Sequence, residues 1–417
     1  MKPKTFWATL IVGFLVLTPL GVILVAQQKS LPPIKIGLIQ STSGMAGQWG
    51  VECLEGFNIK MKEINANGGL KTKEGLRKIE AIVRDDQMKP DIGLKEAKSL
   101  ILEEKCSLIA LGISSAMSQA VSAWAKENKI IYFSGSAKSH HLTGRMGHRY
   151  YFRMTANTWM YSHAAAYYFK DKPYTRWGLL NQDYAYGRDS VDAFIPAMKK
   201  WKPGFQVVTE QWPKLGTTDF TPYITAIMAT KPEIIFSSLW GTDLYTFIKQ
   251  AKGYGFFDKI KFIVTSGGLE LLRPIGQEMA EGMYCLAEGP FQYPGTPENK
   301  KFYDDYKAKT GDFPSAYSFE GYNVLTFIAA AIEKAGTVET EAMVNALEGL
   351  TIPTPVLPVK QITMRKCDHQ SNIAVSIGVT AKDPKWPWLV LKDITSIPGD
   401  DVMQSCEEVM AERATQK

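Results

Sequence analysis

The stretch Leu108–Ala125, LIALGISSAMSQAVSAWA, places small hydroxyl side chains where an apolar run gives way to helical spacing. Gly112-Ile113-Ser114-Ser115-Ala116 approaches the Gly-x-Ser-x-Gly turn that exposes a nucleophilic serine. Ala116 stands where the closing glycine of that turn belongs. A serine nucleophile also needs a base, and His140 is the histidine on a neighbouring loop, so a Ser115–His140 pair is the catalytic alternative. The other chemistry open to these serines is non-covalent. Hydroxyl residues at a helix start, beside free backbone N–H groups and the positive end of the helix dipole, suit an anion such as a carboxylate. The loop that follows the next strand, Ser134-Gly135-Ser136-Ala137-Lys138-Ser139-His140-His141, adds Ser136 and a cation, Lys138, that would strengthen such a hold through a charge-assisted bond.

Other chemistries find less support. No Walker loop or GxGxxG follows a strand pattern. Asp85-Asp86 resembles half of a metal site, but no acidic or histidine partner has suitable spacing, and a turn or ion pair is the expectation. The five cysteines, Cys53, Cys106, Cys285, Cys367 and Cys406, form no close pairs, which argues against zinc. His140 and His141 read as ordinary loop residues. With 48 basic against 42 acidic residues the net charge is only +6, and no block of like charges suggests nucleic-acid binding.

These residues sit on a regular alternation of elements. IKIGLI, KIEAIVRDD, CSLIALGI and KIIYFSG read as strands. Helical patterns lie between them at 51–65, 91–104 (with Asp91 as N-cap) and 118–128. The rhythm restarts with RWGLLNQD, FQVVTEQW, EIIFSSLW and KFIVTSGG, separated by helices at 187–201, 219–230 and 242–254. Further helices are expected at 300–310 and 317–335, and strands at KQITMRK and NIAVSIGV. Alternating strands and helices argue for parallel sheets covered on both faces, here in two units. Ligands of such sheets bind outside the carboxyl ends of the strands. Two facing units would therefore line one cleft with their strand-end loops. The aromatic residues on those loops, Trp49, Tyr186 and Trp240, would wall a small-molecule pocket. With 417 residues, 45% of them hydrophobic, more than one core is expected. Before the first strand, Lys2 and Lys4 precede an uncharged run from Phe6 to Ala26, the pattern of a secretory signal or an uncleaved anchor. The remainder is expected to be exported.

The stretches IKIGLIQSTSGMAGQWG, EINANGGL, SLIALGISSAMSQAVS, NQDYAYGRD and DFTPYITAIMATKPEIIF resemble the leucine/isoleucine/valine-binding protein family, the type I periplasmic solute receptors of ABC importers. The likeness runs from Ile34 to about Val379, with the motifs in family order. It implies an α/β architecture of two Rossmann-like lobes with parallel-sheet cores and a three-crossing hinge. The lobes would span 34–153 plus 284–363 and 157–281 plus 368–395, after a signal peptide or anchor at 1–30 and before a tail at 396–417. It further implies a periplasmic, non-enzymatic, monomeric receptor without cofactor or metal that docks on a membrane permease. A ligand-sensing receptor module of the same fold is the alternative. The ligand-binding residues implied are Trp49, Ser115, Ser136, Lys138, Tyr186 and Trp240. By the same likeness, Cys367 and Cys406 would pair and staple the tail, leaving Cys53, Cys106 and Cys285 as buried thiols. Two positions depart from the amino-acid binders. Lys138 replaces a threonine, and Ser266 stands where a carboxylate would meet the ligand ammonium, with Glu270 and Asp243 nearby in a shifted register. A site with a gained cation and a lost anion favours a carboxylate ligand without an amine, and the three aromatics favour an aromatic acid.

Overall fold

A computed structural model describes residues 31–289, 296–356 and 359–415. The expected signal or anchor at 1–30 lies outside the described residues. None of the described helices is long and apolar enough to cross a membrane.

Two sheets carry the fold. In the first, five parallel strands run in the order Ile79–Arg84, Ile34–Ile39, Leu108–Ala110, Tyr132–Ser134 and Tyr151–Arg153. Ile34, Ile36, Leu38, Leu108, Ile109 and Ala110 are fully buried. Both faces of the inner strands are covered, which is why they read as apolar runs, whereas the edge strand Ile79–Arg84 is partly exposed. In the second sheet, Gln206–Gln211, Arg176–Leu180, Ile234–Ser237, Lys261–Val264 and Tyr284–Ala287 are parallel neighbours. Val375–Ala381 and Val390–Ile397 then extend it as antiparallel strands. This placement corrects two expected boundaries. Tyr284–Ala287 belongs to the second sheet, so the chain leaves that lobe after Ala287 and not before residue 284. The last strand runs to Ile397, past the expected tail boundary at 396.

Most helices begin earlier than their hydrophobic spacing suggested, because their first turns are polar and small, whereas the one expected from 219 begins at Thr221. Helix Ser115–Asn128 starts three residues before Ser118, capped by Ser114, whose Oγ accepts the Met117 N–H at 3.3 Å. Helix Pro90–Leu102 opens on a proline, and Asp91 lies in its first turn instead of at the cap. The long helices Gly47–Ala66 and Ala316–Ala335 pack on each other. Gly56 and Gly321 permit this, since a Cβ at either would fall within 2 Å of the facing backbone carbonyl oxygen, at 1.8 Å and 1.9 Å. Three segments pass between the sheets: one after Arg153, one after Ala287 and one before Val375. Arg153, fully buried at the first crossing, donates to Gln370 Oε1 at 2.6 Å on the third and to the Ser139 carbonyl at 2.5 Å.

Cys367 and Cys406 form a disulfide across a sequence separation of 39, and Cys53, Cys106 and Cys285 are free and buried. The link ties helix Cys406–Ala414 to the third crossing, and Arg413 in that helix donates to the carbonyls of Thr143 and Gly144. A loop of that length restricts the unfolded chain by about 2–4 kcal/mol. Cys367→Ser and Cys406→Ser should each lower the unfolding free energy by that amount in denaturant titrations, and the double variant should lose no more than either single one.

Candidate ligand-binding site

The carboxyl ends of both sheets face each other, as the strand-end argument requires. At the end of Leu108–Ala110 the backbone turns sharply, with Leu111 at φ +74° and Gly112 at φ +99°. A Cβ on Gly112 would meet the Tyr132 hydroxyl at 2.3 Å, so the turn needs glycine. It delivers Ile113 and Ser115 to a small cavity between the sheets, with a free volume of about 30 Å³. Ser136, Lys138, Tyr184, Tyr186, Trp240, Ser266 and Tyr317 complete the lining.

Five of the six expected residues therefore meet at one cavity. Trp49 does not line it, and the reason is packing. Its ring stacks on Tyr317 at 5.1 Å and lies 5.2 Å from Trp240, so it sits behind two of the walls it was expected to form. The contact with Trp240 crosses from helix Gly47–Ala66 to helix Gly241–Gly253 of the other lobe. Trp240 Nε1 donates to the Tyr184 hydroxyl at 2.8 Å, and the Tyr186 and Thr265 hydroxyls pair at 2.7 Å. Tyr184, Tyr317 and Ile113 were missed from sequence. Tyr184 lay in the loop 182–187 already singled out, whereas Tyr317 begins a helix far along the chain and carried no local signal.

Lys138 corrects the largest sequence expectation. Its ammonium reaches Thr155 Oγ1 at 2.6 Å, Glu288 Oε1 at 2.9 Å, Glu320 Oε1 at 3.0 Å and the Tyr161 hydroxyl at 3.3 Å. Both carboxylates are almost wholly buried, with side chains 2% exposed. The three donor hydrogens of a lysine are taken by these partners, leaving none for a ligand. Ser136 is committed too, since its hydroxyl donates to Glu320 Oε2. The cation gained in sequence is thus matched by two anions that sequence reading did not find. Burial would push Lys138 down, but Glu288 and Glu320 outweigh it and hold the ammonium above its ordinary range. Burial dominates for Glu320 and raises its carboxyl despite Lys138.

The other expected groups also have definite places. Ser115 Oγ accepts the Ser139 N–H at 3.2 Å, which leaves its own hydrogen for a ligand. His140 directs Nδ1 at Thr158 Oγ1, 2.8 Å away, and shares no hydrogen bond with Ser115 among the described residues, so the nucleophile–base pair is not formed. Ser118 pairs with the Tyr132 hydroxyl at 2.7 Å. Asp85 and Asp86 are turn residues that accept from Thr42, Gln87 and Met88 N–H groups and from Ser41. Ser266 lines the cavity, and neither acid proposed for a shifted register does. Asp243 is occupied by Gln182 at 2.7 Å and the Gly216 N–H at 3.0 Å. Glu270 accepts the Gly268 N–H at 2.9 Å on one oxygen, its second oxygen has no partner among the described residues, and burial pushes the carboxyl up to about 7.

A family model for periplasmic binding proteins matches residues 33–382. The chain belongs to the periplasmic binding protein family. It is 26% identical over 404 residues to Leu/Ile/Val-binding protein homolog 4 of Brucella abortus, covering 91% of this chain and 94% of that one. This periplasmic binding protein also resembles two solved structures in fold. An amino acid ABC transporter substrate-binding protein from Pseudomonas fluorescens Pf-5 matches with a TM-score of 0.80 at 18% identity, over 91% of this chain and 99% of that chain. A solute binding protein of an ABC transporter from Rhodopseudomonas palustris BisB5, in complex with 3,4-dihydroxybenzoic acid, matches with a TM-score of 0.77 at 22% identity. That alignment covers 88% of this chain and 98% of the other.

Removing Lys138 should expose what it neutralises. Lys138→Ala leaves two buried carboxylates unpaired and should cost about 3–5 kcal/mol of unfolding free energy at pH 7. Each orphaned carboxyl would then hold its proton more tightly folded than unfolded, so its penalty grows as pH rises above the unfolded value. The deficit should shrink when urea unfolding is repeated at pH 5, and Glu320→Gln in the same background should recover part of it at pH 7.

Proposed function

We propose that this protein is the extracytoplasmic receptor of an ABC importer and captures a small carboxylate-bearing solute without an amine, an aromatic acid in the first instance. The observation that carries the reading is the cavity lining: the hydroxyls of Ser115, Ser136 and Ser266, the rings of Tyr184, Tyr186, Trp240 and Tyr317, and no free charge among the lining residues. A ligand carboxylate would accept from the Ser115 hydroxyl and from N–H groups of the first turn of helix Ser115–Asn128, where the dipole favours negative charge. Tyr186, Trp240 and Tyr317 supply faces for an apolar or aromatic body. An ammonium group entering the same cavity would meet Ser266 in place of an acid and would lose its hydration without an ionic partner. The complex of the R. palustris relative with 3,4-dihydroxybenzoic acid agrees with this ligand class.

The mechanism we infer is hinge closure. The solute binds the serine-bearing lobe, the aromatic residues of the other lobe close on it, and the closed population rises. The closed form would then dock, as a monomer in the periplasm, on a permease. We take lobe one as 34–153 with the helices after residue 296, and lobe two as 157–287 with the strands after 375. Nothing in this mechanism requires bond making, and we read the protein as a binder rather than an enzyme. One observation favours a second reading, an amino-acid ligand: the buried Glu270 oxygen without a partner.

Calorimetry distinguishes them. Benzoate-type acids should bind at least tenfold tighter than leucine, and tighter leucine binding would overturn the amine-free reading. Ser115→Ala should weaken the preferred acid roughly 10- to 100-fold, the loss of a hydrogen bond of about 1.5–3 kcal/mol to a charged group. Neither protein should turn the ligand over.

A further inference from the structure

A second cluster sits beside the ligand cavity and serves no role in the function proposed above. His140 and His141 form a short turn, His140–Leu142, just past Lys138 in the first lobe. Asp189 lies in helix Ala185–Trp201 of the second lobe, three positions after the cavity residue Tyr186. One ligand-capable atom from each of His140, His141 and Asp189 falls within 4.8 Å of the others. All three are buried, with exposures of 3%, 8% and 6%. Such a group of two imidazoles and a carboxylate is unusual in an interior, where each must find a partner or lose its hydration.

The partners they do find are those that metal ligands use. His140 Nδ1 faces Thr158 Oγ1 at 2.8 Å, which fixes the ring and leaves Nε2 for another partner. One Asp189 oxygen accepts from the Ser139 hydroxyl, and the other lies 3.5 Å from His141 Nε2. Hydrogen bonds that orient an imidazole and a carboxylate from behind are the usual second layer of a metal site. His141 supplies an independent observation. Its Nδ1 has no hydrogen-bond partner among the described residues although the residue as a whole is only 8% exposed. Its Nε2 is the nitrogen turned toward Asp189.

We propose that His140, His141 and Asp189 bind one divalent transition-metal ion of the zinc class across the two lobes. Imidazole and carboxylate donors suit that class, and three protein ligands leave a fourth tetrahedral position for water. Ligand atoms at ~2.0–2.1 Å from a tetrahedral ion stand about 3.4 Å apart. The cluster must therefore contract by up to about 1.4 Å, which side-chain rotation can supply. Two cations oppose the ion's charge. Arg145 is exposed to solvent, and Arg153 is turned toward Gln370, Thr143 and the carbonyls of Ala137 and Ser139. Asp192, one helical turn beyond Asp189, adds a negative charge on the same helix.

The test is titration of the metal-stripped chain with Zn²⁺. One ion should bind per chain, and it should raise the melting temperature, because an ion held only by the assembled cluster stabilises the folded state. Asp189→Asn and His141→Ala should each weaken Zn²⁺ binding by tenfold or more, while His163→Ala, outside the cluster, should leave it unchanged. Thr158→Val removes no ligand and should still weaken binding by about tenfold, which covers the case where a ligand variant fails to fold. Absence of saturable binding overturns the proposal. So does Zn²⁺ affinity that Asp189→Asn, His141→Ala and Thr158→Val all leave intact.

Discussion

The buried ion cluster of Lys138, Glu288 and Glu320 is the constraint around which the molecule is organised. Glu288 follows the strand from which the second crossing departs, and Glu320 rides on the long helix Ala316–Ala335 of the first lobe. Thr155 and the Ala156 N–H, in the first crossing, donate to Glu288 as well. A single ammonium thus gathers two crossings and one lobe at the floor of the cavity. In a low-dielectric interior none of these groups can be removed alone without leaving an uncompensated charge. That is why the lysine cannot also serve as a clamp for a ligand carboxylate: its bonds are already committed to the hinge.

Above this floor, the lobes meet through contacts of two kinds. Trp49 against Trp240 is apolar and tilted, a contact that tolerates sliding. Arg273 to Glu52 at 2.7 Å is directional, and Arg273 also pairs with Asp312. Gly241, at φ +58°, brings its helix against Met45 and Trp49, where an added Cβ would stand 3.3 Å from the Met45 side chain. The joint combines a fixed ionic pivot with a rim whose contacts are separable. A cleft of that construction can open without breaking either core.

Sequence was informative where the signal was local. The strand-end loops carrying Ser115, Ser136, Lys138, Tyr186 and Trp240 could be placed because each follows a recognisable apolar run, and one rule sends such loops to one cleft. What was lost lay in pairings between distant segments. Glu288 ends a strand, Tyr284–Ala287, that is only four residues long and was not recognised, so its carboxylate was never weighed against Lys138. Glu320 sits in the second turn of a helix, where an acid ordinarily reads as solvent-facing. Trp49 was placed on the right loop, but which aromatic neighbours would cover its faces depends on helix packing that spacing does not encode. Most helix starts were placed late for a simpler reason: Ser115, Pro90 and Gly241 begin helices without adding to the hydrophobic period.

The second sheet is completed by strands drawn from both ends of a long interruption. Tyr284–Ala287 pairs with Val375–Ala381, and the first-lobe helices Pro297–Thr310, Ala316–Ala335 and Thr340–Leu347 are threaded between them. Neither lobe is therefore contiguous in the chain, and neither can finish until segments near the carboxyl terminus have arrived. Contacts of such sequence separation close slowly, because the intervening chain must be ordered before the pairing repays it.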